Sequence, residues 1–188
     1  MGIENFDVKC FGPISLNPEI IKLEDPKIRL IESYPDENGI SMVSAIVLSA
    51  IEEKKETIIG HVVFEAINKS EKTANLNINM LLDLHIKNSP DDFQKLFEEN
   101  DIFYLYVKAI QINSEKNKGK GLGKFLLIRG LYCMKESDID TVVIKGFNHE
   151  NKTFYNHFGA EYDNYHRFAI NTNVVTKYED YLKEVVGR

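Results

Sequence analysis

A chain of 188 residues with 43% hydrophobic and 28% charged side chains has the length for one compact domain, 1–188, and a composition that excludes disordered and fibrous classes. Its 23 basic and 29 acidic residues leave a net charge of -6, so nucleic-acid binding, which needs clustered positive surface to neutralise phosphates, is not expected. No apolar run reaches the roughly 18 residues of a spanning helix, since Ser41, Ser44 and Ser49 interrupt the longest candidate, and no membrane partner is expected.

The residues from Met1 to Phe6 show neither a basic stretch followed by an apolar one nor the hydroxyl that a myristoylation signal carries at position 6, so no address is expected there, and the two widely separated cysteines, Cys10 and Cys133, fit a reducing cytoplasm. Up to residue 26 the pattern is weak, apart from a short helix at 17–22 with Pro18 in its first position. Residues 27–34 suggest a strand and 34–39 a turn. Two β-like segments, 40–52 and 57–67, form an antiparallel hairpin through a charged turn. In the second segment Val62, Phe64 and Ala66 alternate with His61, Val63 and Glu65, which places His61 and Glu65 on the opposite face as half-exposed strand residues. A further strand is expected at 76–80, and a helix at 89–99 with Ser89 as its N-cap and Pro90 behind it.

Residues 102–112 are dense in aromatic and β-branched side chains and read as a buried central strand. Strict alternation puts Phe103, Leu105, Val107 and Ala109 on one side, with Tyr104, Tyr106 and Lys108 in step with Ile110 and Ile112. A polar glycine loop follows, and then a helix at 121–136 that is apolar almost all round and therefore sandwiched. Cys133 lies in that helix as a small hydrophobe; Cys10 is far from it, and neither a disulfide nor a metal site is expected. A strand at 140–147, a helix at 148–158 closed by Gly159, a strand at 160–170 and a helix at 178–186 complete the chain.

The loop from Lys118 through Gly119, Lys120, Gly121, Leu122 and Gly123 to Lys124 carries the chemistry. A helix start exposes N–H groups and a partial positive charge. Lysines there are unfavourable by about 0.3–1 kcal/mol each unless an anion sits between them. Alternating glycines let the backbone approach that anion closely. From position 113 to 124 four lysines stand against one glutamate, a local +3 in an acidic chain. A P-loop is excluded because Phe125 occupies the place of the magnesium-binding hydroxyl, and a dinucleotide fingerprint because the glycines alternate without the two-residue gap.

This loop resembles the pyrophosphate loop of the GNAT superfamily of N-acetyltransferases, Arg/Gln-x-x-Gly-x-Gly/Ala, with Lys118 in the place of the Arg or Gln and Gly121 and Gly123 as its glycines. Downstream, Asn148, Asn151, Phe154, Tyr155 and Gly159 are similar to the superfamily's Asn-x-x-Ala-x-x-Phe-Tyr-x-x-x-Gly-Phe segment, Asn151 and Ala160 departing from it. The resemblance spans roughly 27–170 and is firmest over 102–160. It implies an α/β (α+β) fold with a mixed, mainly antiparallel sheet flanked by helices, and acetyl-CoA as co-substrate with no metal. Coenzyme A would be bound by Ile110, Gln111 and Ile112 of the strand, by the loop from Lys118 to Lys124, and by Asn148 and Asn151.

Acyl transfer to an amine needs a polarised thioester carbonyl and a proton for the departing thiolate. The resemblance gives that proton to Tyr155 and a backbone N–H near Ile112 to the carbonyl. The base is open: Glu65 is one candidate and His61 another, whereas His149 and His157 read as surface residues. The acceptor is expected to be an amine of a small molecule or peptide. A homodimer is one candidate assembly, and a CoA-binding module without turnover is the competing function.

Overall fold

The structure, a computed structural model, describes residues 8–33, 43–68, 102–136, 140–144, 150–162 and 168–186. The turn at 34–39, the strand at 76–80, the helix at 89–99, and Asn148 and His149 lie outside the described residues. Among the described residues eight strands form one mixed sheet: β1 Val8–Ser15, β2 Glu24–Ser33, β3 Val43–Glu52, β4 Lys55–Asn68, β5 Ile102–Ile112, β6 Thr141–Ile144, β7 Glu161–Tyr162 and β8 Phe168–Asn171. Their order is β1-β2-β3-β4-β5-β6-β8-β7, and every pair is antiparallel except β5 with β6. A mixed, mainly antiparallel sheet flanked by helices is the fold class expected from the sequence.

The parallel pair is bridged by α2 (Leu122–Glu136), as a parallel connection requires a crossover. Leu122, Phe125, Leu126, Leu127, Ile128, Leu131 and Met134 of α2 are buried on all sides. The helix packs on β3, β4 and β5 and on a 3₁₀ segment, Thr172–Tyr178. Fully burying each large apolar side chain contributes roughly 1.5–3 kcal/mol, so packing fixes where α2 lies. Gly130 brings it close to the sheet: a Cβ there would lie 2.3 Å from the Phe64 ring.

The remaining helices among the described residues are α1 (Pro18–Ile21), α3 (Lys152–Asn156) and α4 (Glu179–Val186). Asn17 caps α1 by accepting from the Glu19 N–H at 3.0 Å, and its own N–H donates to the Val185 carbonyl at 2.7 Å, joining α1 to α4. No helix among the described residues is long and apolar enough to cross a membrane.

Three expectations need correction, that for His61 among them, and one strand carried no expectation. Strand β1 was not legible, and the strand expected at 160–170 is two, β7 and β8. The alternation along β5 is also broken. Val63 lies opposite Ala109 but Phe64 opposite Val107, so Lys108 is an extra residue, a β-bulge. Beyond it the faces exchange: Val107, Ile110 and Ile112 all belong to the cluster under α2, and Tyr104 and Tyr106 are therefore not in step with the strand's end.

On β4, Val62 and Phe64 face the same cluster as expected, while His61 and Val63 lie on the opposite face. His61 is not half-exposed, however, but only 4% exposed. Within the sheet His61 lies between Val47 of β3 and Gln111 of β5. The side chain of Glu65 lies outside the described residues.

Candidate functional site

The site forms where β5 parts from β6. The two strands pair only at Leu105, Tyr106 and Val107 with Val142, Val143 and Ile144. Past the bulge, β5 continues to Ile112 with β4 on one side and no described strand on the other. The Asn113 N–H donates to the Ile59 carbonyl on β4 at 2.8 Å. The Gln111 carbonyl also lies against β4, where a Cβ on Gly60 would come within 2.5 Å of it. Backbone groups alternate along a strand, so those of Ile110 and Ile112 point to the open side. This is the edge that could pair with an extended, amide-containing ligand.

From there the chain makes a 3₁₀ turn, Glu115–Asn117, and reaches the start of α2. Gly119 and Gly121 have φ of +75° and +77°, and a Cβ on either would meet nothing within 4 Å. Positive φ is what glycine supplies without strain; the open space is where a ligand can approach the backbone. Phe125 is the residue whose N–H closes the first helical turn, onto the Gly121 carbonyl at 2.9 Å, so the N–H groups of Leu122, Gly123 and Lys124 stand ahead of the ladder. Gly121 offers no capping side chain, and the first turn of α2 holds no acidic residue. Gly123 faces β5, where a Cβ would lie 3.7 Å from the Ile110 side chain. Strand edge and helix start are therefore contiguous.

The lysines differ from one another. Lys118 is ion-paired with Glu115. Lys124 lies 4.9 Å above the ring of Tyr178, a cation–π contact the sequence did not reveal. Lys120 donates to the Asn117 Oδ1 at 2.9 Å. Asn117 in turn donates to the Glu52 Oε1 at 2.9 Å, and Lys116 reaches the same oxygen at 3.1 Å. These bonds, that from Asn117 first, hold the Glu52 carboxyl below its ordinary range. Sequence reasoning missed both residues. Asn117 sits inconspicuously among lysines, and Glu52, 65 positions away, has no local signal at all.

Tyr155 lies in α3, which starts at Lys152 behind Asn151, a half-buried residue whose carbonyl accepts from the Tyr155 N–H at 3.2 Å. The helix is short, and Gly159 follows it with φ +68° as expected. Tyr155 is 7% exposed, and burial pushes its phenol pKa above the ordinary value of 10.0. It therefore holds its proton across the neutral range, as an acid must before it donates. His157 is exposed. No cluster of three or more His, Cys, Asp or Glu side chains suited to a metal occurs among the described residues.

His61 is buried on β4 opposite Gln111 of β5, and its Nδ1 has no hydrogen-bond partner among the described residues. Burial lowers its pKa from 6.5. The unfolded chain therefore takes up a proton near that pH while the folded one does not. Stability should be complete above pH 6.5 and fall as the pH drops towards the lower folded value, by about 1.4 kcal/mol for each unit between the two. Melting temperatures between about pH 7.5 and 5 would read this slope, and His61→Leu should flatten it. An unchanged slope in that variant would assign the dependence to other groups.

A scan against protein-family models returns no match, and neither does a search of curated proteins. Among solved structures, a point mutant of the AtaT toxin is similar over 72% of this chain and 70% of that one, with 13% sequence identity and a TM-score of 0.42. Likeness at that level is too low to assign an activity.

Proposed function

We propose that this chain is an acyl-CoA-dependent N-acyltransferase that moves an acetyl group from acetyl-CoA to an amine of a small molecule or peptide. The observation that carries the reading is the uncapped start of α2, where free N–H groups follow two glycines at positive φ and adjoin the open edge of β5. A diphosphate matches the helix start, and a pantetheine-like arm with its two amides matches the groups of Ile110 and Ile112. The free N–H donors suit a phosphate group of coenzyme A, and the open space above Gly119 and Gly121, where a Cβ would meet nothing within 4 Å, supports its close approach to the backbone.

Bound acetyl-CoA would supply an activated acyl group as a thioester. The chain's own part is to hold that group, orient it and move a proton. The loop N–H groups and Lys120 fix the diphosphate. A backbone N–H at the end of β5 polarises the carbonyl, favouring the charge that develops on its oxygen. As the amine nitrogen bonds to the acyl carbon and the carbon–sulfur bond breaks, Tyr155 gives its proton to the sulfur, and the proton lost by the amine leaves to solvent or a base. The net charge of -6 favours the approach of a cationic acceptor through long-range steering.

The test is to titrate the full chain with acetyl-CoA in a melting assay and then follow thiol release across a panel of amines. The expected result is a rise in melting temperature together with release dependent on one class of amine. A melting shift with no release from any amine would favour a module that binds CoA without turnover. No shift at all would reject the CoA site.

A further inference from the structure

We propose that Glu52 and Asn117 are positioning residues for the anion loop, holding Lys120 beside the start of α2 while leaving its charge free for a phosphate. This rests on reading the loop as a diphosphate site. Asn117 is 1% exposed, and both ends of its amide are used: Nδ2 donates to the Glu52 Oε1 at 2.9 Å and Oδ1 accepts from the Lys120 Nζ at 2.9 Å. A carboxylate only accepts and an ammonium only donates, so one amide orientation alone satisfies both neighbours. The chain Glu52–Asn117–Lys120 thus has a fixed direction, running from the end of β3 to the loop.

The neutral link matters. Lys118 is paired directly with the Glu115 carboxylate, and a phosphate would have to compete with that partner. Lys124 is turned to the Tyr178 ring. Lys120 is oriented by an amide oxygen instead, which fixes direction without cancelling charge. Glu52 stands one hydrogen bond further back, where it also receives Lys116 at 3.1 Å. The entrance of the loop is tied separately to β4, because the Asn113 Nδ2 donates to the Ile58 carbonyl at 3.2 Å. The loop is therefore pinned at its entrance and at Asn117, and the two glycines at positive φ beyond lie free to meet a ligand.

Binding of CoA and of inorganic pyrophosphate to the full chain would be measured by calorimetry for the wild type, Asn117→Ala, Lys120→Met and the double variant, with melting temperatures alongside. Each single change should weaken both ligands by about 10-fold, the effect of one charge-assisted bond. The double variant should be about as weak as either single one, since Asn117 acts through Lys120. A general loss of packing would not vanish in the Lys120→Met background. Asn117→Asp, nearly isosteric, should also weaken binding, because its carboxylate neutralises Lys120 and faces Glu52. Glu52→Gln should recover most of what Glu52→Ala loses, since its amide oxygen can still accept from Asn117. Multiplying effects in the double variant, or wild-type affinity in Asn117→Asp, would overturn the relay while leaving the anion site standing. A wild type that binds neither ligand would remove the anion site, and the relay with it.

Discussion

Valine in place of Gly121 should lower the affinity for CoA by about 100-fold, the equivalent of two charge-assisted hydrogen bonds, while the protein stays folded. The reason lies in the backbone. Gly121 has φ +77° and open space where a Cβ would go, so valine meets no neighbour. It does meet its own torsional preference: a β-branched residue in that region costs on the order of 1–3 kcal/mol, and the chain relieves the strain by rotating out of it. Rotation swings the N–H groups of Leu122 and Gly123 away from the anion. Gly123→Ala makes an informative companion, because its Cβ would sit at an ordinary 3.7 Å from the Ile110 side chain and φ there is not positive. Alanine should leave the fold intact and report how close the ligand comes. Calorimetry with CoA, together with a melting curve of each free variant, decides the matter. If the Gly121→Val protein kept its affinity to within about 3-fold, less than one ordinary hydrogen bond, the helix start would not be the binding site.

Removing one oxygen with Tyr155→Phe should reduce thiol release by about 100-fold or more, the usual contribution of a placed proton donor, with CoA affinity unchanged. The buried ring would keep its packing, so the effect belongs to the proton. Burial raises the phenol pKa above 10.0, which sets a second expectation: the rate should show no loss from this group as pH rises through the neutral and moderately alkaline range. The same shift acts on stability with a definite sign. The unfolded chain ionises first, so the folded state is at full strength below pH 10.0 and weakens as the pH climbs towards the raised value. A Phe variant that turns over like the wild type would strip Tyr155 of its role.

Local pattern announced the parts of the molecule that local physics decides. The apolar helix 122–136, the glycines with positive φ in front of it and the hairpin of β3 and β4 are all written in periodicity and turn chemistry. What escaped depends on residues distant along the chain. Strand β1 exists because β2 offers it an edge, and nothing within 8–15 signals that. His61 reads as half-exposed by alternation, yet in the interior of the sheet it is buried. The bond between Asn117 and Glu52 joins a 3₁₀ turn to the end of β3, and the two share no motif. The loop lysines looked equivalent, and only their contacts with Glu115, Asn117 and Tyr178 set them apart.

The extra residue at Lys108 serves two ends at once. A strand has a period of two, so a single uninterrupted phase would have forced a choice between apolar side chains beneath α2 at its middle and at its end. Inserting half a period lets Val107 and, beyond it, Ile110 and Ile112 satisfy the same layer. It also decides by parity which amides are left over for a visitor. Deleting Lys108 would restore one phase throughout, and would turn either the apolar layer or the vacant hydrogen-bonding row to the wrong side.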